Sequence, residues 1–146
     1  GFEAEKAFDA IKQTLTVSHP KSDWETYMKY GYYPTDKVDA ESVSRTLESV
    51  YDDYAATTMA ELMGKKEDAE YFSKRSQFYK NLFDKETKLM RGRNQDGQFQ
   101  SPFSPTDAGK LLSIPAIWHM PKAAEAIILK EMPGNTPGMF STMYRD

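Results

Sequence analysis

Proline is spread so unevenly along these 146 residues that it limits by itself what the chain can fold into. Only Pro20 and Pro34 precede residue 102, whereas Pro102, Pro105, Pro115, Pro121, Pro133 and Pro137 follow at short intervals. Each proline removes a backbone donor and stops a helix. Long helices therefore belong to the first part of the chain. The sequence predicts an ordered region over residues 1–105 and an irregular tail over 106–146, where the only periodicity is a weak helical run from Lys122 to Lys130.

Composition then narrows the class. The length suits one domain, yet 39% apolar residues is slightly low for a chain that must bury its own core. A formal net charge of −3 without any Lys/Arg cluster argues against a nucleic-acid or anionic-membrane binder. No apolar run approaches the roughly 20 residues needed to span a bilayer. Absence of cysteine excludes disulfide frameworks and thiolate metal sites. The chain opens on Gly1 and Phe2 rather than Met and shows no signal peptide, so it reads as beginning inside a longer protein.

Within the first part, Ala4, Ala7, Phe8, Ile11 and Leu15 recur at helical spacing and predict an amphipathic helix from about Phe2 to Thr16, ended by His19 and Pro20. Residues 23–38 read as an aromatic-rich connection holding Trp24, Tyr27, Tyr30, Tyr32 and Tyr33. Such rings either pack over a core edge or line a carbohydrate site, and composition favours packing. Asp39 is placed to cap the next helix, with Glu41 in its first turn. Val43, Leu47, Val50 and Tyr54 mark one face of that helix, and Gly64 after Met63 is its stop. Its second half, Ala55, Ala56, Thr57, Thr58 and Ala60, is small enough to let another helix approach closely. A third helix starts near Glu67 or Asp68 and carries Ala69, Phe72, Ser76, Tyr79 and Phe83 on one stripe. The two form an antiparallel helical hairpin. Beyond Asp84 the period changes: Leu89 and Met90 are extended, Asp96-Gly97 is a tight-turn signal, and Phe99 lies on the return arm of a small β-hairpin. The fold class is all-α, a helical hairpin with a flanking helix and a small β-turn.

Chemistry is sparse in this pattern. Glu41, Arg45, Glu48 and Asp52 fall on a narrow arc opposite the Val43 stripe. Carboxylates beside a guanidinium can bind a polyol or a metal, and the same spacing makes a solvated face with ordinary ion pairs, which composition favours. Asp52 and Asp53 are adjacent on a helix, point about 100° apart and cannot share one cation unaided. His19 and His119 lack ligand partners at useful spacing. No Gly-rich phosphate loop or nucleophile elbow occurs.

More specific is an ordered set of blocks: Tyr30-Gly31-Tyr32-Tyr33-Pro34, then Glu41-Ser42-Val43-Ser44-Arg45-Thr46-Leu47-Glu48, Tyr51-Asp52-Asp53 and Gly64-Lys65-Lys66-Glu67-Asp68. Arg75-Ser76, Tyr79-Lys80-Asn81-Leu82-Phe83-Asp84, Met90-Arg91-Gly92-Arg93, Asp96-Gly97 and Pro102-Phe103 follow. Together they closely resemble the catalytic domain of glycoside hydrolase family 92, the calcium-dependent exo-acting α-mannosidases. The resemblance covers about the first two thirds of the chain. It implies a partial (α/α)6 toroid behind an N-terminal β-sandwich domain, in a parent enzyme that is periplasmic, cell-surface or secreted. It implies hydrolysis of terminal α-mannosyl linkages of glycans with inversion, by a glutamate acid and an aspartate base, with calcium holding the mannose hydroxyls.

Neither the family's acid motif, Y-T-E-G-N-A-W-Q-Y-T-W, nor its base motif, P-G-N-D-D, is present. Pro133-Gly134-Asn135 is followed by Thr136 and Pro137 where two aspartates belong, so no catalytic or metal residue carries over. The resemblance does raise Glu41, Arg45 and Asp52, with Asp53 and Tyr51 behind them, as pocket or structural polar-network residues. It also predicts that the isolated chain is inactive, binds no calcium and self-associates through uncovered helix faces. Back-translation of Ile127 to Met143 with permitted codons, shifted by two bases, reads Y-T-E-G-N-A-W-Q-Y-T-W-H-V-Q-H-D. The tail is therefore expected to be frameshifted from between about Pro105 and Ile127, with the glutamate codon straddling Leu129 and Lys130. A competing, non-enzymatic reading is a tetratricopeptide-like interaction hairpin, but the repeats near a period of 34 that it requires do not occur.

Overall fold

A computed structural model describes residues 3–20, 22–38 and 41–103, all within one compact unit of the chain. The expected tail, the run Lys122 to Lys130, His119 and the expected cap Asp39 lie outside the described residues. Four α-helices, a 3₁₀ turn and one small two-stranded sheet make up the described part.

Helix α1 spans Ala4–Thr16 and buries Phe8 and Leu15, while Ile11 on the same stripe is 37% exposed. The Trp24 indole Nε1 donates to the carbonyl of Thr14 at 2.7 Å, fastening α1 to the next element. That element is a correction. Residues expected as an aromatic connection form helix α2, Trp24–Tyr30, capped by Asp23, whose carboxylate accepts from Thr26 N at 3.0 Å. Gly31 ends it in the left-handed region at φ 72°. The cap and stop were written in the sequence, but a helix of only seven residues rich in aromatic and Thr side chains has little intrinsic propensity, and packing of its rings decides its state. The rings do pack: Trp24, Tyr27, Tyr32 and Tyr33 are buried.

Helix α3, Ser42–Leu62, is the central element. It starts later than expected, because Glu41 precedes it in a left-handed conformation at φ 57° and uses its carbonyl, not its side chain, to accept from Arg45 N at 2.8 Å. Val43, Leu47 and Val50 are buried as expected, and so are Ala56, Thr57 and Ala60 in the small-sided second half. Gly64 adopts φ 71°, Lys65 N donates to Ala60 O at 2.9 Å and Gly64 N to Glu61 O at 3.0 Å, a Schellman closure of the helix.

Helix α4, Lys66–Arg75, returns antiparallel along α3. The expected single helix through Phe83 is interrupted: after Arg75 the Ser76 hydroxyl donates back to Ser73 O at 2.8 Å, and Phe78–Asn81 continue as a 3₁₀ turn. The tighter turn still directs Tyr79 and Leu82 inward. Phe83 and Asp84 form strand β1, antiparallel to β2, Leu89–Met90, in the register Phe83 to Met90 and Asp84 to Leu89. The expected Asp96-Gly97 turn is present, with Gly97 at φ 81° and a bridge between Arg93 and Phe99.

Candidate functional site

Helix α3 carries two polar stripes with opposite fates. Ser42, Thr46, Ser49 and Asp53 recur at i+4, i+3, i+4 and are all buried. Thr46 Oγ1 accepts from Tyr33 N at 3.0 Å and donates to Ser42 O at 2.7 Å. At the far end of the stripe, the Tyr27 hydroxyl donates to Asp53 Oδ2 at 3.0 Å. This seam fixes the Tyr30 to Pro34 segment against the start of α3. Small hydroxyl side chains suit that task because they satisfy backbone donors without occupying the space the rings need.

Asp53 and Arg75 form the electrostatic centre of the seam, with side chains 0% and 1% exposed. Arg75 Nη2 lies 2.8 Å from Asp53 Oδ1, but its N–H does not point along that line, so the contact is ionic rather than a directed hydrogen bond. A single ion pair offsets the desolvation of a buried guanidinium only when further contacts add to it. Four rings supply the remainder: Trp24, Tyr27, Phe72 and Tyr71 lie 5.0 to 5.5 Å from the guanidinium carbon. Arg75 Nη1 also donates to the Tyr71 hydroxyl at 3.2 Å. Burial pushes the Asp53 carboxyl up to about 7, against the pull of Arg75 and of the Tyr27 hydrogen bond. Burial likewise raises Tyr27.

The second stripe is the one the sequence singled out. Glu41, Glu48 and Asp52 are exposed, and Arg45 is half-buried with its guanidinium 4.6 Å above the Tyr33 ring. Desolvation and the neighbouring Glu41 and Asp52 raise Glu48, and desolvation raises Asp52, although both residues remain exposed to solvent. The structure thus divides Glu41, Arg45, Asp52 and Asp53. Asp53 belongs to the buried network with Tyr27 and Arg75, while Glu41, Arg45 and Asp52 share an open face. The adjacent carboxylates Asp52 and Asp53 do diverge, one to solvent and one to the interior.

A third cluster escaped the sequence reading. Arg91 donates through Nε and Nη2 to the carbonyl of Gln100 at 3.0 and 2.7 Å, and through Nη1 to Asp84 Oδ2 at 3.1 Å. Burial works to raise the Asp84 carboxyl, but bonds from Glu86 N, Thr87 Oγ1 and Arg91 outweigh it and hold the group below its ordinary value. The turn is latched to the segment after α2: Thr35 N donates to Arg93 O at 2.8 Å, the Tyr32 hydroxyl to Asn94 O at 2.9 Å, and Gln95 N to Asp36 Oδ1 at 2.9 Å. Arg75, inside an otherwise apolar stripe between Phe72 and Tyr79, was the one sequence signal that could have exposed the buried pair.

A divalent cation needs several oxygen ligands converging on one point. Among the described residues no three acidic or histidine side chains gather in that way. Asp53 is committed to Arg75, and His19 sits in a backbone bridge with Ser22. Among the described residues, the acidic and histidine side chains do not gather in a way that fits a calcium ion.

Comparison with known proteins gives three findings. The family model described as the glycosyl hydrolase family 92 catalytic domain matches residues 1–142. A family GH92 α-mannosidase from Bacteroides thetaiotaomicron, solved alone and in complex with mannoimidazole, is 45% identical over 72% of this chain, with a TM-score of 0.68, and the match covers 14% of that protein. A family GH92 inverting mannosidase from the same organism matches 99% of this chain and 22% of its own length at 22% identity, with a TM-score of 0.73, a likeness of fold. No curated protein matches.

Proposed function

Because the chain belongs to glycoside hydrolase family 92, we propose that it is a piece of an α-mannosidase whose parent removes terminal α-mannosyl residues from glycans with inversion. The observation that carries this reading is the 45% identity to an α-mannosidase over 72% of this chain. The chain spans only 14% of that enzyme's length, so a binding cleft must be completed by elements beyond these. Inversion requires an acid and a base about 6.5–9.5 Å apart on opposite faces of the sugar. Of the acidic candidates, Asp53 is sealed behind Arg75, and Glu41, Glu48 and Asp52 lie on one open helix face. None is opposed by a second carboxylate across a cleft among the described residues. Calcium belongs, in this reading, to the parent enzyme, as does export to the periplasm, the cell surface or the medium.

The chain alone is therefore inactive. Incubating the purified 146-residue chain with an α-mannoside and calcium tests this: no mannose release above a buffer control is expected, and turnover would refute it.

The tail enters the same proposal as out-of-frame text from about residue 105 onward. High identity to the mannosidase extends over 72% of the chain, and the neighbour spanning 99% shares only 22%. The alternative frame over Ile127 to Met143 reads the complete acid motif. A family match that runs to residue 142 supports the opposite case, a tail in frame that has diverged. The coding DNA separates the two: if the codons cannot yield the motif, the frameshift is discarded. Self-association also follows from this reading, because Val17 and Leu62 are 56% and 85% exposed at positions a larger domain would cover. A strictly monomeric sedimentation profile would count against it.

A further inference from the structure

Asp96-Gly97 is the only Asp-Gly pair in the chain; every other aspartate precedes a residue with a side chain or ends the chain. The pair forms the tip of the turn after β2, where Asp96 is exposed. An aspartyl carboxyl carbon and the next backbone nitrogen are one bond short of a five-membered ring. A side chain on the next residue obstructs that ring, and glycine has none. A Cβ at Gly97 would meet nothing within 4 Å, so the tip has room to change shape. Gly97 takes φ 81° and, as glycine, is free to leave it for the conformation that ring closure needs. Gln98 N donates to Asp96 Oδ1 at 2.9 Å. This bond keeps the carboxyl folded back along its own backbone, and it favours the negative charge that gathers on a carboxyl oxygen under attack. From these observations we infer that Asp96 is a site of spontaneous covalent modification, closing on Gly97 to a succinimide and reopening as isoaspartate, and that the product releases the latch to the segment after α2.

The chemistry needs only water. With the carboxyl protonated, Gly97 N bonds to the Asp96 side-chain carbon, and the carboxyl hydroxyl leaves with the Gly97 amide hydrogen as one water molecule. A second water then adds to one of the two imide carbonyls. Addition at the side-chain carbon restores Asp96. Addition at the former main-chain carbon breaks the original peptide bond, frees that carbon as a carboxylate and leaves Gly97 linked through the side chain. Mass is unchanged, and the main chain is one methylene longer. Gly97 N donates to Asn94 O at 2.9 Å, so the turn must open before the nitrogen can attack. Opening is cheap at an exposed tip, and no side chain from Gln95 to Gln98 is buried.

The added methylene falls inside the turn. Asn94 N donates to Gln98 O at 2.9 Å across the pair, and this bond and that from Gly97 N to Asn94 O are fitted to an ordinary main chain between them. The latch starts from the same residues: Thr35 Oγ1 donates to Asn94 Oδ1, Gln95 N to Asp36 Oδ1 and the Tyr30 hydroxyl to Gln95 Oε1. Lengthening the turn withdraws the frame that holds Asn94 and Gln95 toward those partners.

The full chain is held at 37 °C and pH 6, folded or in urea, and sampled over weeks by peptide mapping. The expected product is an isomer of unchanged mass in the peptide holding Asp96, methylated by an isoaspartate-specific methyltransferase and gaining one heavy oxygen in ¹⁸O-water. Because tip opening costs little, the folded chain should react within about tenfold of the unfolded one. Asp96→Glu, which would need a six-membered ring, should not react. Folded protein reacting a hundredfold more slowly, or reacting first at another aspartate, overturns the site. The isomerised protein is then separated by ion exchange and its amide exchange followed by NMR: Thr35 and Gln95 should exchange about tenfold faster than in the parent while α3 stays protected. Unchanged exchange at Thr35 and Gln95, or loss of protection throughout α3, overturns the release of the latch.

Discussion

Replacing Asp53 by asparagine keeps the side chain's shape and removes its charge, so it isolates what burial does to this carboxyl. In the folded protein the group is pushed from an ordinary 3.8 up to about 7, desolvation outweighing Arg75 and Tyr27. Between those pH values the folded state holds a proton that the unfolded chain has released. Stability then falls as pH rises through the window, by about 1.4 kcal/mol per unit, or roughly 4 kcal/mol in all. Glu48 and Asp52 are raised as well and contribute the same sign, but both persist in the variant. Asp23 and Asp84 are lowered, so their contribution is present above the ordinary carboxylate range and is lost only below it. The informative quantity is therefore the difference between wild type and Asp53→Asn, measured by urea unfolding with far-ultraviolet circular dichroism from pH 4 to pH 7.5. That difference is expected to shift in favour of asparagine by roughly 4 kcal/mol across the window. A constant difference, or a shift favouring aspartate, would show that Arg75 and Tyr27 keep the carboxylate ionised throughout and that the burial argument is wrong.

Other substitutions test separate parts of the fold. Gly31→Ala and Gly64→Ala both place a side chain at positive φ, a strain of about 1–2 kcal/mol. A Cβ at Gly31 would also stand 2.5 Å from Asn81 Nδ2, which donates to the Gly31 carbonyl, whereas a Cβ at Gly64 meets open space. Thermal melts should therefore show the Gly31 variant clearly less stable than the Gly64 variant, and equal losses would refute the steric account. Thr46→Val preserves shape while leaving the buried Tyr33 N–H without its acceptor, and is expected to cost about 1–3 kcal/mol in urea unfolding. An unchanged midpoint would mean the seam does not hold the Tyr30 to Pro34 segment in place.

Periodicity made the long elements legible. The α1 stripe, the α3 stripe and the Gly64 stop predict what is observed, because each spans enough residues for a 3.6-residue repeat to stand out. Helix α2 was missed because two turns give too little repeat, although Asp23 and Gly31 marked both ends. The Phe83 end of α4 was overextended because Ser76 and Tyr79 continue the apolar spacing through a 3₁₀ turn. At the candidate site the sequence names Asp53 as a pocket or structural-network residue without its partners, since Tyr27 and Arg75 are 26 and 22 residues away and only tertiary packing unites them. The buried polar seam was masked for a related reason: Ser42, Thr46 and Ser49 look like surface residues until a ring-lined segment is laid over them. Membership of the family, carried by ordered blocks rather than by any one motif, was readable throughout.

The latch between the segment after α2 and the turn after β2 has a consequence for the order in which the molecule assembles. Its side-chain bonds join positions 58 to 65 residues apart, whereas the α3–α4 hairpin closes through a short loop at Gly64. Closing a long loop costs more chain entropy before any contact repays it. The hairpin is therefore expected to form first and the latch to close last, so amides of Thr35 and Gln95 should exchange with solvent through openings that leave those of α3 protected. That ordering confines the breathing of the fold to one end of the hairpin, the end that carries Arg93.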